Sequence, residues 1–281
     1  MNLCRPHLSP TESAPQTLHL ERPIKLYTSR DLEFLFLRLK SAGIGWTTSE
    51  NPPIRKRDIK TTNPAKHMYL VEGGRWLLVA SDTGCITYFD LDASTPTECI
   101  LIPEQFDPLV PEQFDPRAEI HVVMAIDRDN DSAFLAFNLA VSFSLTNTPP
   151  PDPEAQGVQI WRVELTLDDE QRGIGLTAKH LASFPFEPSI DRILCQSISG
   201  PHLALTLLVA EHDDFQLTFI IDWKQADGDQ TDYPRRLVHP PDGKEPVCLV
   251  LLIIITLHLL FNSKLSISSL ATDYSPLPMK V

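Results

Sequence analysis

The chain has few glycines and few basic side chains for its length. Its 281 residues include 11 glycines against 25 prolines, and 24 lysines and arginines against 37 aspartates and glutamates, which gives a formal net charge of −13. Nucleic-acid binding depends on basic side chains that neutralise phosphates, so this charge argues against a DNA- or RNA-binding protein. Proline removes a backbone donor and fixes φ, so its abundance favours short strands joined by stiff loops over long helices.

The cysteines indicate neither a disulfide framework nor a zinc site. They are odd in number, widely spaced and free of any Cys-x-x-Cys pair: Cys4, Cys85, Cys99, Cys195 and Cys248. Small disulfide-rich domains and structural zinc sites use paired, closely spaced cysteines, so both classes are excluded. Residues 1–10 also lack the apolar core of a secretory signal. We therefore expect a protein of the cytoplasm or the nucleus.

Motifs for nucleophilic, phosphate or metal chemistry are missing from the sequence. It contains no Gly-x-Ser-x-Gly elbow, no glycine-rich loop with a lysine and no His-Glu-x-x-His. The acidic clusters at 168–170 and 212–214 lack the alternating ligand spacing of a calcium loop, and they predict solvated turns. We expect no catalytic, cofactor-binding or metal-binding residue, and hence no enzyme.

Two aspartates form the one candidate pair for acid–base chemistry. Asp90 and Asp92 lie two residues apart near the end of a predicted strand, where their side chains would share a face. Glycosidases place such carboxylates across a cleft, normally on different elements. A propeller-type glycosidase is therefore only an outside alternative, and capping of a turn is the favoured role.

The first 66 residues predict a leader, one helix and a connecting loop. Residues 1–27 carry scattered prolines without periodicity, which predicts a flexible leader. Within 28–66, Thr28 and Asp31 resemble a capping box. Apolar residues then fall at i, i+3, i+4 and i+7, which predicts an amphipathic helix over about 29–42 that ends at Gly43 and Gly45: Leu32, Leu35, Phe36 and Leu39.

From His67 onward the apolar residues alternate with the period of a strand. In 135–145 every second side chain is large and apolar, which predicts a strand buried on one face. The stretches 76–92, 122–145 and 203–223 each contain an apolar strand, an acid-rich turn and an aromatic-bearing strand. Recurring units of this kind are typical of a β-propeller. We predict a mainly β fold, with a partial or open β-propeller-like domain of antiparallel sheets over 67–245.

The C-terminal part, 246–281, contains an apolar segment with three interpretations. Residues 247–261 are interrupted only by Thr256 and His258. Extended to 267, the segment reaches the length of a membrane-spanning helix but takes in Asn262 and Lys264; this interpretation predicts a tail-type anchor. The β-branched residues 253–255 instead favour a pair of buried strands. A divergent splice that adds a tail unable to pack on the domain is the third interpretation.

Several short segments are distinctive in combination: 32–40 followed by 45–46, the run Gly-Gly-Arg-Trp-Leu-Leu-Val at 73–79, 88–92, 137–140, 159–165 and 221–223. Together they resemble fungal F-box proteins whose F-box is followed by a diverged, WD-like β-propeller, over about residues 29–238. The resemblance implies a receptor of a ubiquitin ligase, in which the propeller presents a protein target and the F-box docks on a Skp1-type adaptor. No F-box, with its Leu-Pro-x-Glu start, is found in 1–46, so we expect target binding without adaptor docking.

Two functional hypotheses follow from the sequence. The first is a non-catalytic protein-interaction module that binds protein partners through loops at the blade edges, without cofactor or nucleic acid. The alternative is a tail-anchored membrane protein whose β domain faces the cytosol and whose anchor is residues 247–267.

Overall fold

The described part of the chain consists of one α-helix and twelve β-strands in three sheets. The computed structural model describes residues 20–47, 58–104, 119–146, 157–185, 190–209, 216–225 and 235–238. The prediction of a mainly β fold with antiparallel sheets and one N-terminal helix is confirmed for these residues. The apolar segment 247–261, the acidic cluster 212–214 and residues 1–19 lie outside them.

Each sheet is a meander of four consecutive strands, and we call the three sheets blades 1, 2 and 3. In each blade every strand pairs antiparallel with the one that follows it. Blade 1 contains β1 (Ala65–Leu70), β2 (Trp76–Ser81), β3 (Ile86–Asp90) and β4 (Cys99–Ile102). Blade 2 contains β5 (Glu119–Arg128), β6 (Ala136–Thr146), β7 (Gly157–Leu167) and β8 (Gly173–Pro185). Blade 3 contains β9 (Ile190–Ser199), β10 (His202–Val209), β11 (Gln216–Asp222) and β12 (Arg235–Val238).

The three blades pack side by side in chain order, and their first strands lie next to one another. β5 lies next to both β1 and β9. One apolar core, with Trp76, Leu78 and Phe137, lies between blades 1 and 2, and a second, with Ile160 and Leu205, lies between blades 2 and 3. Consecutive four-stranded meanders that pack face to face with neighbouring first strands are the arrangement of adjacent blades in a propeller.

The prediction that 135–145 is buried on one face only is wrong. Phe137, Leu139 and Val141 face the core shared with blade 1, whereas Ala140 belongs to the core shared with blade 3, and Ser142 is buried as well. Blade 2 is the middle blade, so both faces of β6 are covered. The small side chains at alternate positions, which resemble a solvent-facing row, instead let blade 3 approach closely.

Helix α1 (Ser29–Thr47) precedes the blades and begins at the predicted capping box. The backbone N–H of Thr28 donates to Asp31 Oδ2 at 3.0 Å, and the N–H of Asp31 donates to Thr28 Oγ1 at 3.2 Å. The prediction that Gly43 and Gly45 end the helix is wrong, since it continues to Thr47. Glycine weakens a helix by about 1 kcal/mol relative to alanine but does not interrupt its hydrogen bonds, as proline would.

A half-buried glutamine holds blade 3 against blade 2. Gln196 on β9 donates through Nε2 to the backbone oxygens of Val123 (2.7 Å) and Ala140 (2.8 Å), and its Oε1 accepts the hydroxyl of Ser142. One side chain therefore satisfies polar groups on both β5 and β6. Polar groups buried between sheets must be paired in this way, because an unpaired one loses its hydration without compensation.

Replacing Gln196 with leucine should lower the free energy of unfolding by about 2–3 kcal/mol, because several buried polar groups of blade 2 lose their partner at once. Urea unfolding followed by tryptophan fluorescence measures the change. The matched control is Gln225→Leu, since Gln225 is exposed and its side chain bonds Asp222. Equal destabilisation by the two substitutions would show that the packing of blade 3 on blade 2 does not depend on Gln196.

Candidate binding cleft at one rim of the blades

The turns after the first and third strands of each blade lie at one end of the stack, which we call the rim. It comprises residues 71–75, 91–98, 129–135, 168–172 and 200–201. Contacts join these turns across blades: Arg75 Nη2 donates to the oxygen of Gly173 at 2.8 Å, and the N–H of Gly200 donates to Asp127 Oδ2 at 2.7 Å. The rim is therefore one continuous surface built from three blades.

Residues 20–27 and helix α1 lie over this rim. The end of the segment predicted as a leader differs from that prediction, because Leu20 accepts a hydrogen bond from Arg128 Nη2 (2.7 Å) and Glu21 accepts one from the N–H of Leu135 (2.7 Å). Ile24–Leu26 form a 3₁₀ turn that leads into the helix. On α1, Arg38 pairs with Asp92 and donates through Nη2 to the oxygen of Gly74 at 2.7 Å.

Arg75 is the centre of the rim. Its Nε and Nη2 form a bidentate pair with the carboxylate of Asp90 at 3.0 and 2.8 Å, and its Nη1 bonds Glu21 Oε2 at 3.0 Å. The guanidinium also stacks 4.4 Å from the ring centroid of Trp76. The planar fork of arginine is suited to several partners at once. Arg75 thereby joins the N-terminal segment, both central strands of blade 1 and, through Gly173, blade 2.

The backbone before Arg75 requires glycine. Gly74 has a φ of +73°, in the left-handed region that side chains with a Cβ rarely adopt. This conformation turns the chain back from β1 to β2 and presents the oxygen that Arg38 binds. The Gly-Gly-Arg-Trp run of the sequence therefore combines a tight turn, an ion-pair centre and a core side chain in consecutive positions.

The two carboxyl groups that bind Arg75, those of Asp90 and Glu21, have pKa values shifted in opposite directions. Burial raises the pKa of Asp90, but hydrogen bonds from Arg75 and from the backbone of Asp92 outweigh it, so the pKa lies below its ordinary value. For Glu21, burial is the largest effect and the neighbouring Asp92 and Asp90 add to it, so its pKa is raised in spite of Arg75. The pKa of Arg75 itself is raised, since its acidic partners outweigh its burial.

Asp90 and Asp92 are engaged in the structure of the rim. Asp90 is held by Arg75 and accepts the N–H of Asp92 at 2.9 Å, which caps the turn after β3. Asp92 is paired with Arg38. A glycosidase needs an acid with a raised pKa opposite a second carboxylate, whereas the pKa of Asp90 is lowered. Turn capping and an ion pair account for Asp90, and an ion pair accounts for Asp92, which argues against the acid–base role.

Replacing Asp90 with asparagine should flatten the dependence of stability on acid pH. The folded pKa of Asp90 lies below its unfolded value of about 3.9, so its ion pair stabilises the fold above that pH and the stabilisation is lost as the pH falls through the folded pKa. Urea unfolding at intervals from about pH 5 to pH 2 should show a shallower loss for the variant than for the wild type. Identical slopes would contradict the prediction. Asp129→Asn tests the equivalent pair with Arg162 in blade 2, since the pKa of Asp129 is also lowered, mainly by that arginine.

A cleft of about 400 Å³ opens between α1 and the rim. One wall is the helix face with Asp31, Phe34 and Arg38, and the opposite wall is the β7–β8 turn with its flanking residues 165 and 172–174. Arg75 and Asp92 lie at the blade 1 side. Phe34 and Ile174 are large apolar side chains that line the cleft and are exposed over 65% and 60% of their surface.

The acidic cluster at 168–170 is a turn, as predicted. Asp168 accepts the backbone N–H groups of Glu170 (3.0 Å) and Arg172 (2.8 Å) and the Arg172 Nε (2.9 Å), and so closes the β7–β8 turn beside the cleft. Among the residues that the structure describes, no group of three His, Cys, Asp or Glu side chains could hold a metal ion. In the same ranges no helix has both the length and the apolar character to cross a bilayer.

The chain is similar in structure to a solved protein domain. No family model and no curated protein matches the chain. Among solved structures, the WD40 domain of SCAP from fission yeast is similar, with a TM-score of 0.36 and 10% sequence identity. The match covers 63% of this chain and 32% of that one, so the chain matches about a third of the length of the solved protein.

Proposed function

We propose that this chain is a non-catalytic protein-interaction module that binds a partner protein at the rim cleft. In this role it would resemble the target-binding propeller of an F-box ubiquitin-ligase receptor, and it would act in the cytoplasm or nucleus. The observation that carries the proposal is the cleft between α1 and the β7–β8 turn, where Phe34 and Ile174 are exposed above a network of fixed ion pairs.

The ion-paired arginines and the exposed apolar side chains of the cleft favour binding over catalysis. The four arginines of the cleft are each paired with carboxylates: Arg22 with Asp31, Arg38 with Asp92, Arg75 with Glu21 and Asp90, and Arg172 with Asp168. Such pairs hold the turns in one conformation, and a preorganised surface loses less entropy when a partner binds. Exposed large apolar side chains that lie together commonly mark an interaction site.

Site-specific photo-crosslinking in the native cell tests this proposal. A photo-reactive amino acid at position 174, in the cleft, should crosslink to a discrete set of proteins. The matched control is position 100, where Ile100 is 70% exposed, against 60% for Ile174, on a strand outside the cleft. Absence of crosslinks at 174, or the same adducts at both positions, would overturn the proposal.

The alternative function, a tail-anchored protein, is supported by the sequence of 247–267, with its uninterrupted apolar character up to Thr256. Alkaline carbonate extraction of membranes tests it. Retention of the full chain in the pellet, and release of a variant lacking 247–267, would establish the anchor. Release of the full chain into the supernatant would rule it out.

A further inference from the structure

We infer that residues 20–27, which we call the strap, close one end of the rim cleft and detach from the blades without unfolding them. The strap lines the cleft with Glu21, Arg22 and Tyr27. Its importance for partner binding rests on the proposed function, whereas the detachment itself is measured without a partner. Three observations carry the inference: the kind of contact that holds the strap, the exposure of its side chains, and its position at the cleft.

The strap is held to the blades by polar contacts of its first two residues. The oxygen of Leu20 accepts a hydrogen bond from Arg128 Nη2 at 2.7 Å. The oxygen of Glu21 accepts one from the N–H of Leu135 at 2.7 Å, and its carboxylate pairs with Arg75 Nη1 at 3.0 Å. The attachment therefore consists of one ion pair and two hydrogen bonds.

Further along, the described contacts join the strap to itself and to the first turn of α1. The guanidinium of Arg22 lies 4.4 Å from the ring centroid of Tyr27, and its Nη2 lies 3.7 Å from Asp31 Oδ2. The Tyr27 hydroxyl accepts the N–H of Glu21 at 3.2 Å. Because none of these contacts involves a blade, they can persist when the strap leaves the rim.

The strap has little apolar attachment to the blades. No side chain in the described stretch 20–38 is buried, and none from that stretch belongs to either apolar core. Ile24, in the middle of the strap, is 65% exposed. Burial of apolar surface is the main favourable term in packing one segment on another. Segments with few buried apolar contacts open locally at a fraction of the global free energy of unfolding, so the strap should detach while the blades remain folded.

Detachment changes the cleft at this end. Arg75 would keep its bidentate pair with Asp90. Its Nη1, Arg128 Nη2 and the N–H of Leu135 would lose the oxygen atoms that the strap supplies. These three donors of the blades would then be available to the oxygen atoms of another segment. The strap therefore determines both where the cleft ends and which donors it offers.

Hydrogen exchange of single amides, followed by NMR on the full chain, tests the inference. The N–H of Leu135 bonds the strap, whereas two other amides report on blade 2 itself: that of Leu165, which bonds the oxygen of Leu135 at 3.0 Å, and that of Leu139 in the middle of β6. We expect Leu135 to exchange at least about tenfold faster than both, because local opening requires less free energy than unfolding. Low concentrations of urea should speed exchange of Leu139 and leave Leu135 nearly unchanged, since urea acts in proportion to the surface exposed.

A matched pair of charge reversals adds a second readout. Glu21→Lys places a cation against Arg75 and should speed exchange of Leu135 by about tenfold, the effect of losing one hydrogen bond between charged groups. Exchange of Leu139 should not change. Glu33→Lys makes the same change of charge at an exposed position of α1 and should alter neither rate. Exchange of Leu135 in step with Leu139 as urea is added, or equal effects of the two substitutions on Leu135, would overturn the inference.

The two proposals fail in different ways. If Leu135 exchanges by local opening but position 174 gives no crosslinks in the cell, the strap detaches and the cleft is not a binding site. If position 174 crosslinks to proteins but Leu135 exchanges only with the blades, the cleft is an interaction site whose end is fixed.

Discussion

Replacing Arg75 with alanine should lower the free energy of unfolding by about 3 kcal/mol, the effect of removing one member of a partly buried ionic network. The substitution leaves Glu21 and Asp90 without their cation, although both carboxylates are largely shielded from water. It also removes the bond to Gly173 and the stacking on Trp76. Urea unfolding at neutral pH gives the change directly.

Two further variants test why Arg75 matters. Arg75→Lys keeps the charge but lacks the planar fork, so it should recover only part of the loss. Arg172→Ala removes an exposed arginine whose pairs with Asp168 and Glu170 lie on the same rim, and it should change stability much less than Arg75→Ala does, because solvent screens exposed ion pairs. A loss at Arg172 as large as that at Arg75 would show that burial of the network is not the cause.

Replacing Trp76 with alanine should destabilise the protein by about 3–5 kcal/mol, the usual effect of deleting a fully buried aromatic side chain. Trp76 is 1% exposed, lies in the core between blades 1 and 2, and contacts the ring of Tyr88 edge-on at 5.7 Å. The measurement is again the free energy of unfolding in urea, here followed by circular dichroism, since the variant loses a fluorophore.

The conservative variant at this position isolates the packing effect. The indole Nε1 of Trp76 is buried with no hydrogen-bond partner among the described residues. Trp76→Phe therefore removes an unsatisfied donor together with part of the ring, and should destabilise much less than Trp76→Ala. Ile100→Ala, at a site 70% exposed, should change stability by no more than about 0.5 kcal/mol. Equal losses for phenylalanine and alanine at position 76 would mean that the indole nitrogen is needed.

Local signals in the sequence predict the elements well. The capping box of Thr28 and Asp31 forms as expected, because both partners lie within four residues of each other. The strand pairs around Trp76 and Leu203 also form, since alternation and an intervening turn define a hairpin locally. Strand β6 is the instructive exception: whether its alanines and serines face water or another sheet depends on blade 3, which lies far along the chain.

The cleft could not be predicted for the same reason. Its centre, Arg75, is visible in the sequence only as a residue beside a tryptophan, while its partners come from positions 21, 90 and 173. The sequence does identify Asp90 and Asp92 as a pair worth testing, and the structure brings both to the rim. The role of Asp90 is defined by Arg75 and that of Asp92 by Arg38, both from distant segments, and residue spacing in the sequence does not predict these pairs.

The contact between Arg75 and Gly173 has a consequence for synthesis on the ribosome. Residues 98 positions apart must both have emerged before the rim can assemble, and at about 5–20 residues per second this is a delay of about 5–20 s. During that interval Arg38 can already bond Asp92 and Gly74 of blade 1, but the rim lacks its contact with blade 2. Nascent chains halted before Leu135 should therefore be digested by protease near residue 20, and chains halted well after Gly173 should resist.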